Sequence, residues 1–215
     1  MSQDLPFFPI SLNIQARKCL VVGAGKVASG KIAGLLNYGA RIAVVSPVAV
    51  RQIKDRARAG EITWHQRKFL PSDVRGAFLV IAATNSSEVN SAVFRACQAR
   101  RVLCNAVDDP EHCDFFYPAV VRRGLLQIAV STNGRAPALA ARLRGELEDQ
   151  FGPEWSSWIQ HVGKLRRDIQ RQKLSVKTRR RRLRELASPE AFRSFLRKRT
   201  GRKSGNSPSA KRRRK

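Results

Sequence analysis

Residues 20–31 read LVVGAGKVASGK, and two glycine spacings overlap within them. Counted from Gly25, four residues precede Gly30-Lys31, which comes close to a phosphate-binding loop for ATP or GTP. Counted from Gly23, the run is Gly-x-Gly-x-x-Ala, the strand-to-helix turn that holds a dinucleotide. The first reading needs Ser or Thr directly after the lysine, because that hydroxyl ligates Mg²⁺. Ile32 stands there instead. The later run AFLVIAATN (77–85), the natural second metal strand, ends in Thr84-Asn85 and offers no carboxylate to anchor the ion.

The second reading fits its surroundings. RKCLVV (17–22) is a short apolar run suited to a buried strand, and Lys26 to Tyr38 reads as a helix. Gly23 permits the tight turn, Gly25 lets the backbone approach a pyrophosphate, and Ala28 is small enough for helix to pack on strand. The first N–H groups of such a helix, with the positive end of its dipole, face the phosphates. The alternation continues with strands expected at 39–47, 61–69, 77–84 and 102–107, and with helices ending near Ala59 and spanning 87–101. This implies the α/β class: a Rossmann-type, doubly wound parallel sheet over residues 1–113.

From Asp114 the pattern changes. DFFYPAVV and GLLQIAVST read as two strands separated by Arg122-Arg123-Gly124, and a helix is expected from Pro137, a residue suited to the first helical position. Leu139, Leu143, Leu147 and Phe151 lie four apart on that helix. So small a sheet with one striped helix has little core of its own, so 114–150 is expected to be a small α+β dimerisation segment. Trp155, Trp158, Ile159, Val162, Leu165 and Ile169 make a second stripe in a helical region, 151–198, where the tryptophans read as core. Residues 199–215 have almost nothing apolar to fold around and are expected to be a disordered basic tail.

The net charge of +26 is unevenly placed. Residues 1–150 carry 20 Lys/Arg against 12 Asp/Glu, whereas 151–215 carry 22 against 4. The excess therefore belongs to the C-terminal part and does not name the function of the core. Non-specific contact with nucleic acid or another polyanion through the tail fits this charge, but no nucleic-acid-reading motif accompanies it. No apolar run approaches the roughly 18 residues of a membrane helix, and MSQDLPFFPI lacks the charged-then-apolar start of a secretory leader. Cys19, Cys97, Cys104 and Cys113 form no CxxC pair, which fits reduced thiols in a cytoplasmic protein.

In a doubly wound sheet the chemistry belongs to loops at the carboxyl ends of the strands. After the fifth strand comes CNAVDDPEHCDF (104–115), where Asp108 or Asp109 could act on a substrate, or Asp-Asp-Pro could be ordinary turn chemistry. Glu111, His112, Cys113 and Asp114 suggest a metal, but four adjacent side chains of an extended segment point to opposite faces, so no metal is expected. The Tyr-x-x-x-Lys pair of short-chain dehydrogenases is absent: Ile42 follows Tyr38 at that spacing and Val121 follows Tyr117. The acidic residue that holds the ribose hydroxyls, about 20 positions past the glycines, is replaced by Ser46, which leaves NAD against NADP open on physical grounds.

Four segments together resemble a known family: FFPISLNIQARKCLVVGAGKVASGKIAGLL, FLPSDVRGAFLVIAATNSSEVN, CNAVDDPEHCDFFYPAVV and STNGRAPALAARLRGELE. Over roughly residues 5–170 they are similar, in order and spacing, to the precorrin-2 dehydrogenases of siroheme biosynthesis. The resemblance implies NAD-dependent oxidation of precorrin-2 to sirohydrochlorin by a homodimer joined through the segment after the sheet domain. Some members also insert Fe²⁺. It implies that Asp108 is the essential carboxylate. Cofactor contacts are expected at Gly23, Ala24, Gly25, Lys26, Val27, Ser46, Pro47, Val48 and Thr84. Substrate contacts are expected at Asn105, Arg122, Arg123, Ser131, Thr132, Gly134 and Arg135. Asn133 and Arg135 depart from the residues relatives often carry. Precorrin-2 bears eight carboxylates, to which the arginines and the helix start at 135–137 are electrostatically suited. Two other classes compete: an NAD-sensing regulatory module that binds nucleic acid through its tail, and a gating subunit related to NAD-sensing domains of ion transport. The first would not need Asp108 or a tetrapyrrole cleft, and the second leaves the segment 114–150 unexplained.

Overall fold

The computed structural model describes residues 7–204, without the side chains of 200–204. Five short apolar runs form one parallel sheet: β1 (Lys18–Val22), β2 (Arg41–Val45), β3 (Thr63–His65), β4 (Leu79–Ala82) and β5 (Leu103–Ala106), in the order β3-β2-β1-β4-β5. Between them run α1 (Lys26–Leu36), α2 (Arg51–Arg58) and α3 (Ser87–Gln98). Successive residues of a strand face opposite sides, and β1 shows the consequence. Cys19 and Val21 enter one core, with Ala28 and Ile32 of α1, while Leu20 and Val22 enter the other, with Val93 and Cys97 of α3. All four residues of β4 are buried, as a strand covered on both faces requires.

The helices start and stop for local reasons. α1 buries Ala28, Ile32 and Leu35, spaced four and three apart on one face, and the chain leaves it through Gly39 at φ +72°. α3 opens where Ser86 Oγ accepts the Val89 N–H at 3.2 Å, a side-chain cap. β3 is three residues long where nine were expected. It is the edge strand, with Thr63 and His65 exposed, and the chain after it is drawn into a 3₁₀ turn at Pro71–Val74. That turn is tied by Asp73, which accepts the Leu70 N–H at 2.9 Å and pairs with Arg67.

The chain divides into two compact units. The first takes the described residues up to Tyr117 together with Asn133–Arg135; the second takes Pro118–Thr132 and the chain from Ala136 onward. In the second unit, β6 (Ala119–Arg123) and β7 (Leu126–Val130) form an antiparallel hairpin, followed by α4 (Pro137–Gln150), α5 (Glu154–Arg171), α6 (Val176–Leu186) and α7 (Pro189–Ser204). Of the two tryptophans expected in the core, Trp158 is buried and Trp155 half-buried. Trp158 is 6% exposed, and Trp155 and Trp158 stack among Phe151, Phe192 and Phe195 at centroid distances of 4.5–5.5 Å. The stripe on α4 behaves differently: none of its residues is fully buried, Leu139 is 41% exposed, and the buried residue of the helix is Ala140, outside the stripe. α7 runs to Ser204, past the Lys198 boundary where disorder was expected to start; 205–215 lie outside the described residues.

Candidate dinucleotide and active site

β1 and β4 are neighbours in the sheet, yet the chain leaves β1 towards β2 and returns on the other side to β4. Where a parallel sheet changes direction in this way, its carboxyl edge opens a crevice. A cavity of about 970 Å³ lies there, walled by Val22–Gly25, Val45–Val50, Ala83–Ser86 and residues of α3. The two glycines of the turn answer to different constraints. Gly23 has φ +100°, and a Cβ on it would stand 2.2 Å from the Ala83 carbonyl oxygen, so the protein itself demands glycine. Gly25 has φ −84°, and nothing lies within 4 Å of a Cβ built there. The space beside Gly25 is left open at the start of α1, which has no side-chain cap and no acidic residue in its first turn. An uncapped helix start beside an open crevice fits the pyrophosphate of a dinucleotide.

Of the cofactor contacts expected from the sequence, Gly23, Ala24, Gly25, Ser46, Pro47, Val48 and Thr84 line this cavity. Lys26 and Val27 do not; they contribute the first backbone N–H groups of α1. Ser46 is 9% exposed and its hydroxyl donates to the Val48 carbonyl at 2.7 Å, so it fixes the loop after β2. Thr84 is held by buried Asn90, whose Oδ1 accepts the Thr84 hydroxyl at 2.8 Å and whose Nδ2 donates to the Thr84 carbonyl at 3.2 Å. Asn90 was missed in the sequence because a polar residue on the buried face of a helix shows no partner there. Lys68 and Phe69, also in the lining, come from the edge loop and carry no motif.

Asp108 lies in the turn that follows β5, with one residue between it and the strand's end. It is exposed, with φ +60°, a left-handed conformation that aspartate tolerates better than most residues. The loop that presents it is built from the groups around it. Asn105 is 6% exposed and its Nδ2 donates to the Phe115 carbonyl at 2.9 Å, so the structure gives it a loop-holding role where substrate contact was expected. Asp109 pairs with His112 Nδ1 at 2.6 Å, and the Asp114 carboxylate accepts the Cys104 N–H at 2.9 Å. Cys113 donates its thiol hydrogen to the Ala106 carbonyl at 3.1 Å, and burial pushes its pKa up. His112 and Asp114 are thus committed to separate partners. Among the described residues no group of three or more His, Cys, Asp or Glu is arranged to hold a metal.

The other expected substrate contacts divide between the two units. Gly134, at φ +77°, and exposed Arg135 belong to the first. In the second, Ser131 is exposed, as is Arg122, and Thr132 Oγ1 accepts the Ala136 N–H at 3.2 Å just before α4. Arg123, also expected to meet the substrate, is engaged within its own unit. Its Nε donates to the Phe151 carbonyl at 2.7 Å, and its other nitrogens donate to the Glu148 carbonyl and carboxylate at 3.0 and 3.2 Å. The guanidinium closes the C-terminal end of α4, and it holds the Glu148 carboxyl below the usual carboxylate range.

Comparison with known proteins agrees with this division. Residues 10–119 match the family model described as putative NAD(P)-binding, and 123–150 match the model described as sirohaem biosynthesis protein central. A siroheme synthase of Photorhabdus laumondii is 36% identical over 176 residues, 82% of this chain and 37% of its own length. Siroheme synthase 1 of Pectobacterium atrosepticum is 37% identical over 175 residues, 81% of this chain and 36% of its own. The chain therefore spans little more than a third of those relatives. A solved structure, SirC, precorrin-2 dehydrogenase, superposes with a TM-score of 0.72 at 27% identity, covering 89% of this chain and 98% of that one. With a crevice at the switch point, a glycine turn shaped for close approach and a family model that matches residues 10–119, about half of the chain, the protein belongs to the putative NAD(P)-binding family, and a segment similar to the sirohaem biosynthesis central model follows at 123–150.

Proposed function

We propose that this protein oxidises precorrin-2 to sirohydrochlorin with NAD⁺, a step of siroheme biosynthesis. The observation that carries the reading is the likeness to SirC over nearly the full length of both chains, since the longer siroheme synthases share only part of themselves with this one. The cavity residues and the free N–H groups opening α1 would hold the dinucleotide, which when bound supplies the hydride acceptor. Gly25 admits the pyrophosphate close to backbone. Asp108 takes the proton that the macrocycle releases, since oxidation removes a hydride and a proton together. Arg135, in the same unit as Asp108, supplies positive charge for a substrate with eight carboxylates.

Two further readings go with it. The chain works as a homodimer through its second unit, which the half-covered leucines of α4 support. The basic C-terminal residues hold polyanions without selectivity. The test of the central reading is spectroscopic: precorrin-2 and NAD⁺ incubated with the protein should yield the sirohydrochlorin spectrum and NADH absorbance in equal amounts. Repeating it with Fe²⁺ reads whether siroheme follows. No NADH formed from precorrin-2 would refute the assignment.

A further inference from the structure

Helix α6 carries six Lys and Arg among its 11 residues and a single acidic residue, Glu185. It opens where Ser175 Oγ accepts the Thr178 N–H at 3.2 Å, and it packs on α5 within the second unit. The helix has two faces. Thr178, Arg179, Leu183 and Leu186 are half-buried on one. Lys177, Arg180, Arg181 and Arg184, at the spacing that shares one side of a helix, are exposed on the other. A groove of about 710 Å³ runs along these four cations.

Such a face works against the helix that bears it. Residues three and four apart are neighbours, and like charges there repel. Lys177 meets Arg180 and Arg181 in this way, and Arg184 meets the same two. Lys177 also stands in the first turn, where the helix dipole disfavours a cation and no acidic residue offsets it. Glu185 relieves Arg181 alone, at 3.7 Å and largely in solvent, where a pair is weak. Among the described residues, the side chains of Lys177, Arg180 and Arg184 have no hydrogen-bond or ion-pair partner. Helix α4 treats its arginines differently: Arg142 pairs with Glu146 and Arg144 with Glu148, each four residues on.

A partner with repeated negative charge removes that repulsion. Lys177 to Arg184 spans about 10 Å at 1.5 Å per residue, along which one strand of a duplex sets about three phosphates. A small anion would meet one or two of the four cations. A protein partner would need an apolar centre to the interface, and a helix lying on a membrane needs an exposed apolar face. Here Val176, at the helix start, is the one apolar residue of the groove, and Leu183 and Leu186 belong to the packed side.

We propose that the outer face of α6 is a nucleic-acid interface, in which Lys177, Arg180, Arg181 and Arg184 hold backbone phosphates without reading bases. The proposal deepens the polyanion reading above by placing the contact on a folded helix, and it does not depend on the dehydrogenase reading.

The test compares the full chain with the triple variant Lys177→Gln, Arg180→Gln and Arg184→Gln. A control variant, Arg75→Gln, Arg95→Gln and Arg100→Gln, removes the same charge from exposed side chains of the first unit. Labelled DNA and RNA duplexes of one length are bound by fluorescence anisotropy between about 50 and 200 mM salt. The α6 variant should bind about tenfold or more weakly at low salt. Its plot of log affinity against log salt should be shallower by about 2 to 3, near 0.9 for each lost phosphate contact. The control should stay within about threefold of the parent, and precorrin-2 turnover should be unchanged in both. The α6 variant should unfold at or above the parent's temperature, because repulsion is relieved; a lower temperature would mark these side chains as structural and overturn the proposal. A loss on one duplex and not the other names the nucleic acid that the helix serves. Parental affinity and slope on both would overturn the proposal, as would an equal loss in the control, which would reduce the effect to net charge. Lost turnover with duplex binding intact would give the stripe to the substrate's carboxylates. Phosphatidylserine vesicles that bind the parent and not the α6 variant, again with duplex binding intact, would give it to a lipid surface. Either result overturns the nucleic-acid assignment.

Discussion

The two units spend their apolar residues in different ways. In the first, Val21, Ile32, Val44, Ile53, Val80 and Ile81 are wholly withdrawn from water, and the sheet has a core on each face. In the second, the buried apolar residues among those described are Val121, Ala140 and Trp158, and α4 leaves Leu139 41% exposed. The charges contrast too. In the first unit the crevice is shaped by backbone and by small residues, whereas in the second the basic side chain whose partners are clearest, Arg123, holds a helix end. A rigid parallel sheet can fix a cofactor turn and a carboxylate to within hydrogen-bond tolerance. A hairpin with a half-covered helix is suited to meeting another surface.

The largest effect should fall on the first unit's edge. Asp108→Ala should cut precorrin-2 turnover by about 10²–10⁴, the usual loss for a general base, while NAD⁺ affinity measured by calorimetry remains within a few fold of the parent. Near-parental turnover would move the chemistry elsewhere. Asp109→Ala should be much milder, because that carboxylate is paired with His112.

Packing should separate the units next. Ile81→Ala removes a side chain that is 0% exposed and should cost about 2–5 kcal/mol in urea unfolding. Leu143→Ala on α4 should cost about 1 kcal/mol or less within the chain, yet lower the dimer mass seen by sedimentation. Equal costs with unchanged mass would erase the distinction between a closed core and a face meant for a partner.

Arg123→Ala sharpens the contrast in charge. It strips donors from the Phe151 and Glu148 carbonyls and should destabilise the protein by about 1–3 kcal/mol, with the KM for precorrin-2 unchanged. A raised KM at parental stability would return Arg123 to the substrate. The smallest effect belongs to the basic end: removing 199–215 should leave turnover and dimer mass as they were. It should also weaken retention of RNA at low salt, a binding mode that fades steeply as salt rises. Lost turnover in the shortened chain would join that end to the active site.

How legible the molecule was in its sequence follows from the same physics. The parallel strands could be read because burial on both faces forces continuous apolar runs, as in LVIA of β4. β3 was overdrawn because EITWHQRKF mixes polar and apolar residues, and at a sheet edge only three of them pair. The glycine turn was legible because backbone geometry restricts residue type. The engagement of Arg123 was not legible because the sequence shows its charge but not the carbonyls 25 and 28 residues away that use it. Lys31 was read only as part of a failed motif, since the Tyr117 ring that its ammonium faces, 3.8 Å from the centroid, comes from the far end of the sheet domain. α7 outran its expected end because helical backbone needs no apolar side chain once started.

The open space at Gly25 is where the pyrophosphate of a dinucleotide would lie, and a single titration decides whether it does. Gly25→Val meets no protein atom within 4 Å at its Cβ and has no positive φ to strain. Calorimetry with NAD⁺ on the parent and on Gly25→Val, together with thermal unfolding of both, compares cofactor binding and stability at the same position. The account predicts a variant that unfolds at the parent's temperature within a few degrees and shows little or no heat of NAD⁺ binding. A Gly25→Val protein that binds NAD⁺ as tightly as the parent would contradict it, and the crevice would have to be assigned to something else.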